Sequence, residues 1–290
     1  MHPYPIMRKH ASIIVAFLLA GLPVVVRAIE VPDVVPLRAP LWETGLFSAY
    51  GWIPDYPAAR QNHFHGIVLP YFIYRGSLFR SYREGARAQV QLLHNLYLEF
   101  SAAGSFPVDS KDNGARQGMP DLDWIGEIGP RLAWKMFDFG ERGKLKLLLP
   151  MRAVFSTDFK ENINYRGLVF PPAISFNSYN FLHRDWIGLI EIISSFGGRR
   201  MNAYFYEVAP RFALPDRPMY DAQAGYLNTK LFVGVAMPFW KRFHYFNGMS
   251  LAFNQGSANQ DSPLYKNSTN FTWIMAVSWR WLESAKTGVQ

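Results

Sequence analysis

The chain contains no cysteine. That absence removes disulfide frameworks, thiol nucleophiles, cysteine-based metal sites and acylation on a cysteine. Charge is also scarce. Asp, Glu, Lys and Arg make up 18% of the 290 residues, against 49% hydrophobic and 16% aromatic. So many aromatics with so few charges is an unusual balance for a soluble secreted protein. Beyond the N-terminus there is no run of about 18 apolar residues, so no transmembrane helix is expected. A transmembrane β-barrel accounts for these shortages together, because its lipid-facing residues are interleaved with polar ones and average out along the chain.

The clearest strand is Phe271 to Trp281. One face carries Phe271, Trp273, Met275, Val277, Trp279 and Trp281, and the other Thr272, Ile274, Ala276, Ser278 and Arg280. Strict period-two alternation marks a strand between two different surroundings. Tryptophans at the end of an apolar face suit a lipid–water interface, and Arg280 then points into a polar lumen. The same alternation sets Ala86, Ala88, Val90 and Leu92 against Arg87, Gln89 and Gln91. It also sets Trp124, Ile128, Leu132, Trp134 and Met136 against Glu127, Arg131 and Lys135. About twelve strands are expected, over 41–53, 63–74, 77–92, 94–103, 123–138, 144–158, 163–178, 184–197, 200–208, 226–239, 243–254 and 270–282. Segment 184–197 is too uniformly apolar to orient.

Short connections at Arg75-Gly76, Asn95, Gly140 to Gly143, Gly197-Gly198 and Lys241-Arg242 alternate with longer polar ones at 54–62, 104–122, 209–225 and 255–269. That asymmetry is the pattern of an outer-membrane barrel. Prolines at 70, 130, 150 and 172 predict bulges or register breaks. Trp42, Trp52, Tyr56, Tyr71, Trp124, Trp186, Trp240, Trp279 and Trp281 are expected at strand ends, as girdle anchors.

At the N-terminus, Arg8 and Lys9 precede the apolar run Ile13 to Val26 and the small residue Ala28. This reads as a secretory signal peptide over 1–28, the run being short of the ~20 residues needed to span a bilayer. Residues 29–40, with three prolines, read as an extended leader, 41–282 as the barrel, and 283–290 as a polar, disordered tail. Without the three basic residues of the signal, the formal charge falls from +8 to +5. This modest, unclustered excess suits anionic outer-membrane lipid head groups or murein carboxylates, and no nucleic-acid partner is expected.

Several pieces then follow one another in a familiar order. They are Gly51-Trp52-Ile53-Pro54-Asp55-Tyr56-Pro57, Leu69 to Arg75, Arg83-Glu84-Gly85, Tyr220 to Gly225, the hairpin 229–254, and Asp261-Ser262-Pro263. In this series the chain resembles the MltA-interacting protein family (MipA/OmpV). The resemblance implies an outer-membrane barrel that holds a murein-cleaving transglycosylase and a penicillin-binding synthase together. For some relatives it implies a porin-like or adhesive surface protein instead. The chain departs from the family pattern at Ala58, where a glycine usually follows the turn, and at Asn259-Gln260, where small or acidic residues are common. It also runs eight to nine residues past its last aromatic.

The chemistry legible in the residues is sparse. Glu99, Glu127, Arg131, Lys135, Arg152, Glu191, Glu207 and Arg280, with Arg87, fall on predicted lumen faces. Such a ladder either selects solutes in a channel or pairs internally in a closed barrel. His63 and His65 share a strand face, as do Asp121 and Asp123, but neither pair has a third ligand, so no metal is assigned. His94, His244, Ser101 and Ser250 are the residues a barrel esterase would need, and no spacing joins them. The expectation is a barrel without catalytic residues or cofactor, a scaffold for murein machinery, the alternatives being a narrow porin-like channel and a surface adhesin.

Overall fold

The computed structural model describes residues 40–74, 89–160 and 162–286. It is an all-β chain in one antiparallel sheet of thirteen segments. These are β1 (Trp42–Pro54), β2 (Asn62–Tyr74), β3 (Gln89–Leu93), β4 (Leu96–Ser105), β5 (Trp124–Asp138), β6 (Lys144–Pro150), β7 (Arg152–Thr157), β8 (Ile163–Phe170), β9 (Ala173–Tyr179), β10 (Ile187–Gly197), β11 (Gly225–Trp240), β12 (Phe243–Phe253) and β13 (Thr269–Glu283). β6 continues into β7 past Met151, and β8 into β9 past Pro171 and Pro172. The described residues therefore form eleven staves, in the order β2-β1-β13-β12-β11-β10-β8/β9-β7/β6-β5-β4-β3. The proposed signal peptide, the leader through residue 39, the Arg75-Gly76 turn, most of segment 77–92 and residues 287–290 lie outside the described residues.

Alternation along each stave separates two surroundings. Phe64, Val68 and Phe72 on β2, Ile128, Leu132 and Trp134 on β5, and Met249, Leu251 and Phe253 on β12 are exposed on the outer face. The residues between them turn inward. On β6 and β7 the buried set is Lys146, Leu148, Pro150, Arg152, Val154 and Ser156, in unbroken phase across the interruption. A large apolar outer face with a mixed inner one is the signature of a barrel that meets lipid outside. Aromatic stacks border the outer face at both ends. Tyr50 and Phe64 lie 5.3 Å apart at one end, and Phe243 and Trp279 5.6 Å apart at the other.

The sheet curls until its opposite sides meet. His65 of β2 stacks on Phe106, which follows β4, with ring centres 4.8 Å apart. Gln61 donates to the Asp112 carbonyl and accepts from the Gly114 amide, each at 2.7 Å. Residues of β1, β4, β5, β7, β10, β11, β12 and β13 all line one internal chamber. The fold is a single antiparallel transmembrane barrel.

Four expectations need correction. Segment 200–208 is not a strand but the helix α1 (Arg199–Tyr206), and Gly197-Gly198 opens a long connection rather than a tight turn. Met201 and Phe205, four apart, share a buried helix face with Asn202 and Tyr206, and burial of that face decides the conformation. Pro70 and Pro130 sit within regular pairing, without a register shift. At Pro130 the neighbouring stave carries the break instead, Met151 N donating to the Pro130 carbonyl at 2.9 Å. Tyr71 turns inward over Gly45 instead of outward to a girdle. Glu283 belongs to β13, and the segment after it is tied to β1 by Ser284 N to Trp42 O and Leu41 N to Lys286 O, at 2.9 and 2.8 Å.

A closed barrel keeps its hydrogen bonds in SDS until heated. The extracted protein should therefore migrate at two positions on a gel, depending on boiling. A single position under both conditions, with protein free in the soluble fraction, would contradict a lipid-facing barrel.

Candidate functional site

The long connections, all at one end, do not splay but pack together. α1 lays Met201, Phe205 and Tyr206 against Tyr56, Ala59, Val108, Leu122, Ala222 and Leu264, and against Ile125, Val154, Val169 and Leu227 of the barrel wall. This apolar cluster caps the lumen. Tyr56 is thus a buried cap residue, 2% exposed, and not a girdle anchor. Its hydroxyl donates to the Leu264 carbonyl at 2.9 Å, and that of Tyr206 to the Pro57 carbonyl at 2.9 Å. Burial pushes both phenols well above the usual tyrosine range. Arg116, held by the Phe205 and Pro120 carbonyls at 3.2 and 3.0 Å, is lowered by the same burial.

Buried amides fasten the cap. Asn270 accepts from the Ala58 amide and from Asn254, and donates to the Ala59 carbonyl, each at 2.8 Å. Asn259 accepts from Gln223 N at 2.7 Å and donates to Gln223 O at 3.0 Å. Asp55 gives one oxygen to His63 and the other to Asn113, each at 2.6 Å. Ser262 donates to the Tyr206 carbonyl at 2.7 Å, with Asp261 exposed and Pro263 half-buried beside it, and Pro54 ends β1 opposite Asn62. The pieces from 51–57, 220–225 and 261–263, far apart in sequence, therefore meet in one structure. Arg83, Glu84, Gly85 and Arg87 lie outside the described residues. Ala58 stands where the resemblance leads one to expect glycine. It is fully buried with φ of 63°, a left-handed conformation that glycine adopts without strain.

Below the cap, charged residues face inward in pairs. Arg131 is bound to Glu99, Arg152 Nη2 lies 2.7 Å from Glu127, and Arg280 lies 3.4 Å from Glu43 and 3.1 Å from Glu283. Lys135 sits 4.5 Å over the Tyr97 ring. Glu191 is buried and has partners of its own. Glu207 is the exception among the predicted ladder residues. It caps the C-terminus of α1, at the long-loop end rather than on a lumen-facing strand. On β1 and β10 to β13, Ala49, Leu189, Phe232, Phe246 and Ala276 add apolar surface to the lumen. Between cap, ion pairs and this apolar surface lies a chamber of about 370 Å³.

The other candidate chemistry is engaged structurally. His63 is held by Asp55 and His65 by Phe106. Asp121 accepts from Ser110 N at 2.6 Å, and Asp123 from Tyr204 at 3.3 Å. Among the described residues no group of three His, Cys, Asp or Glu is placed to hold a metal ion. Ser101 lies 3.5 Å from Arg152 Nη1.

A model of the family described as MltA-interacting protein MipA matches residues 46–281. The chain belongs to this MipA family. The match runs from β1 to β13 and takes in the whole described cap. No curated protein matches the chain. Among solved structures, one titled "NanC porin structure in rhombohedral crystal form" is similar over 81% of this chain and 100% of its own, at 8% identity and a TM-score of 0.39.

Two substitutions test the cap and the lumen pairs. Relieving a left-handed alanine is worth about 1–2 kcal/mol, more than the about 0.8 kcal/mol lost with one buried methyl. Ala58→Gly should therefore raise stability by up to ~1 kcal/mol in urea unfolding followed by tryptophan fluorescence, and a loss would refute the strain. Arg152→Met strands Glu127 and should cost on the order of 3 kcal/mol. Adding Glu127→Gln should restore most of that. If the double variant is no more stable than the single one, the pair is not what stabilises this wall.

Proposed function

We propose that the protein is an outer-membrane barrel acting as a non-catalytic scaffold for murein synthesis and hydrolysis, with a lytic transglycosylase and a penicillin-binding protein as partners. The family's own description, MltA-interacting, supports the first partner. The observation that carries the reading is the cap. An end packed by fourteen buried residues is the build of a plug rather than of a conduit. Paired lumen charges point the same way, since each pair satisfies itself and leaves little field along the axis. In this reading residues 1–28 direct export, and the short turns and both barrel ends, Trp42 and Glu283, face the periplasm, where murein enzymes work.

Co-purification tests it. Tagged protein extracted from membranes in mild detergent should retain a lytic transglycosylase, and the purified barrel should be electrically silent in planar bilayers. Stepwise conductance that changes ion selectivity on Arg131→Gln, with no enzyme retained, would favour the channel reading and overturn this one.

A further inference from the structure

The chamber beneath the cap has lining residues of two kinds, and together they define a ligand. Its roof is Tyr56 and Phe205, and one side is Phe232, Phe246, Ile274 and Ala276, with the two phenylalanine rings stacked at 6.2 Å. Polar groups line it as well, among these apolar residues on β10 to β13 and on the facing staves β5 and β7. The charges there are all committed. Asp55 serves His63 and Asn113, Glu127 is paired with Arg152, and Glu191 and Lys230 have partners. A charged solute would find no uncompensated counter-charge and would have to break a pair to gain one.

Outside the Glu127–Arg152 ion pair, a donor and an acceptor of the lining are left unsatisfied. Arg152 Nε and Asn228 Oδ1 have no hydrogen-bond partner, although their residues are 2% and 6% exposed and both line the chamber. Buried polar atoms are rarely left so. One is a donor and the other an acceptor, and the Ser250 and Thr272 hydroxyls, able to be either, line the same space. Both orphaned atoms are covered at rest, so a ligand meets them after small side-chain rotations. The volume lies near the lower end of the ~300–1,000 Å³ of small-molecule sites, room for one or two rings and not for a chain.

We infer that the chamber is a binding site for a small uncharged, hydroxyl-rich ring compound of the sugar class. Its hydroxyls meet Arg152 Nε and Asn228 Oδ1, and its apolar face lies on Phe232 and Phe246. The site is independent of the scaffold role and stands or falls separately from it.

The test is saturation-transfer NMR on the intact barrel in a detergent without a sugar head group, since a maltoside would compete. The probes are glucose and N-acetylglucosamine, with glucuronate and glucosamine as charged counterparts. At least one neutral sugar should receive saturation and bind more tightly than its charged counterpart. Asn228→Leu should weaken it on the order of tenfold. Phe246→Leu should weaken it less, with both variants still heat-modifiable on gels. Absence of transfer to both neutral sugars would overturn the inference. So would equal binding of the charged sugars, or binding unchanged by Asn228→Leu.

Discussion

In hydrocarbon a backbone N–H or C=O has no water to turn to, and each one left unpaired costs several kcal/mol. Every stave must therefore hand its hydrogen bonds to neighbours on both sides, and the sheet must curve back on itself. Much else in this molecule follows from that closure. It creates an outside that has to be apolar and an inside that has to be filled or wet. It also forces the period-two alternation, because successive residues of one strand face different surroundings. The interruptions show how strong the constraint is. At Pro150 and at Pro171-Pro172 the ladder is broken, yet the inward phase of Lys146 to Ser156 and of Val169 to Asn177 runs through unchanged.

Closure also raises the question of what occupies the interior. On one wall the answer is apolar, with Phe232 and Phe246 projecting from β11 and β12 toward Ala49 and Ala276. Elsewhere it is electrostatic, with arginines paired to glutamates, Glu99 and Arg131 standing directly opposite in register on adjacent staves. Such pairs contribute little net stability against a hydrophobic filling, but removing one member exposes the cost of a bare buried charge.

Strands between unlike surroundings were the legible part of the fold. β5 and β13 alternate polar and apolar residues, and Glu127, Arg131, Lys135 and Arg280 face inward as the alternation predicts. β10 defied orientation for a physical reason: Leu189 and Ile193 face an interior that is itself apolar there, so both faces read alike. The helix α1 was read as a strand because eight residues satisfy two periods. Met201, Ala203 and Phe205 alternate, while Met201–Phe205 and Asn202–Tyr206 also fall four apart. Only the cap decides between the two, and its contacts reach across the chain, as from Tyr56 to Leu264. The inward turn of Tyr71 was equally hidden, since it depends on the bare Gly45 of the neighbouring strand.

The cap connects the family pattern to physics. Pieces of sequence that are individually unremarkable are bound to distant ones, those around Asn259 and Ser262 through backbone carbonyls and amides and Asp55 through the side chains of His63 and Asn113. A side chain that bonds to a distant backbone is constrained in length and shape as well as polarity. Asn270 fixes Ala58 and Ala59 with one amide in a way that neither aspartate nor glutamine reproduces. The departures from the family pattern obey the same rule. Asn259 supplies both bonds to Gln223, and Ala58 keeps the backbone shape at the expense of strain. An end built by such bonds is rigid, and a rigid plug over a chamber holds its walls at fixed spacing, which is the condition for binding one small molecule rather than passing many.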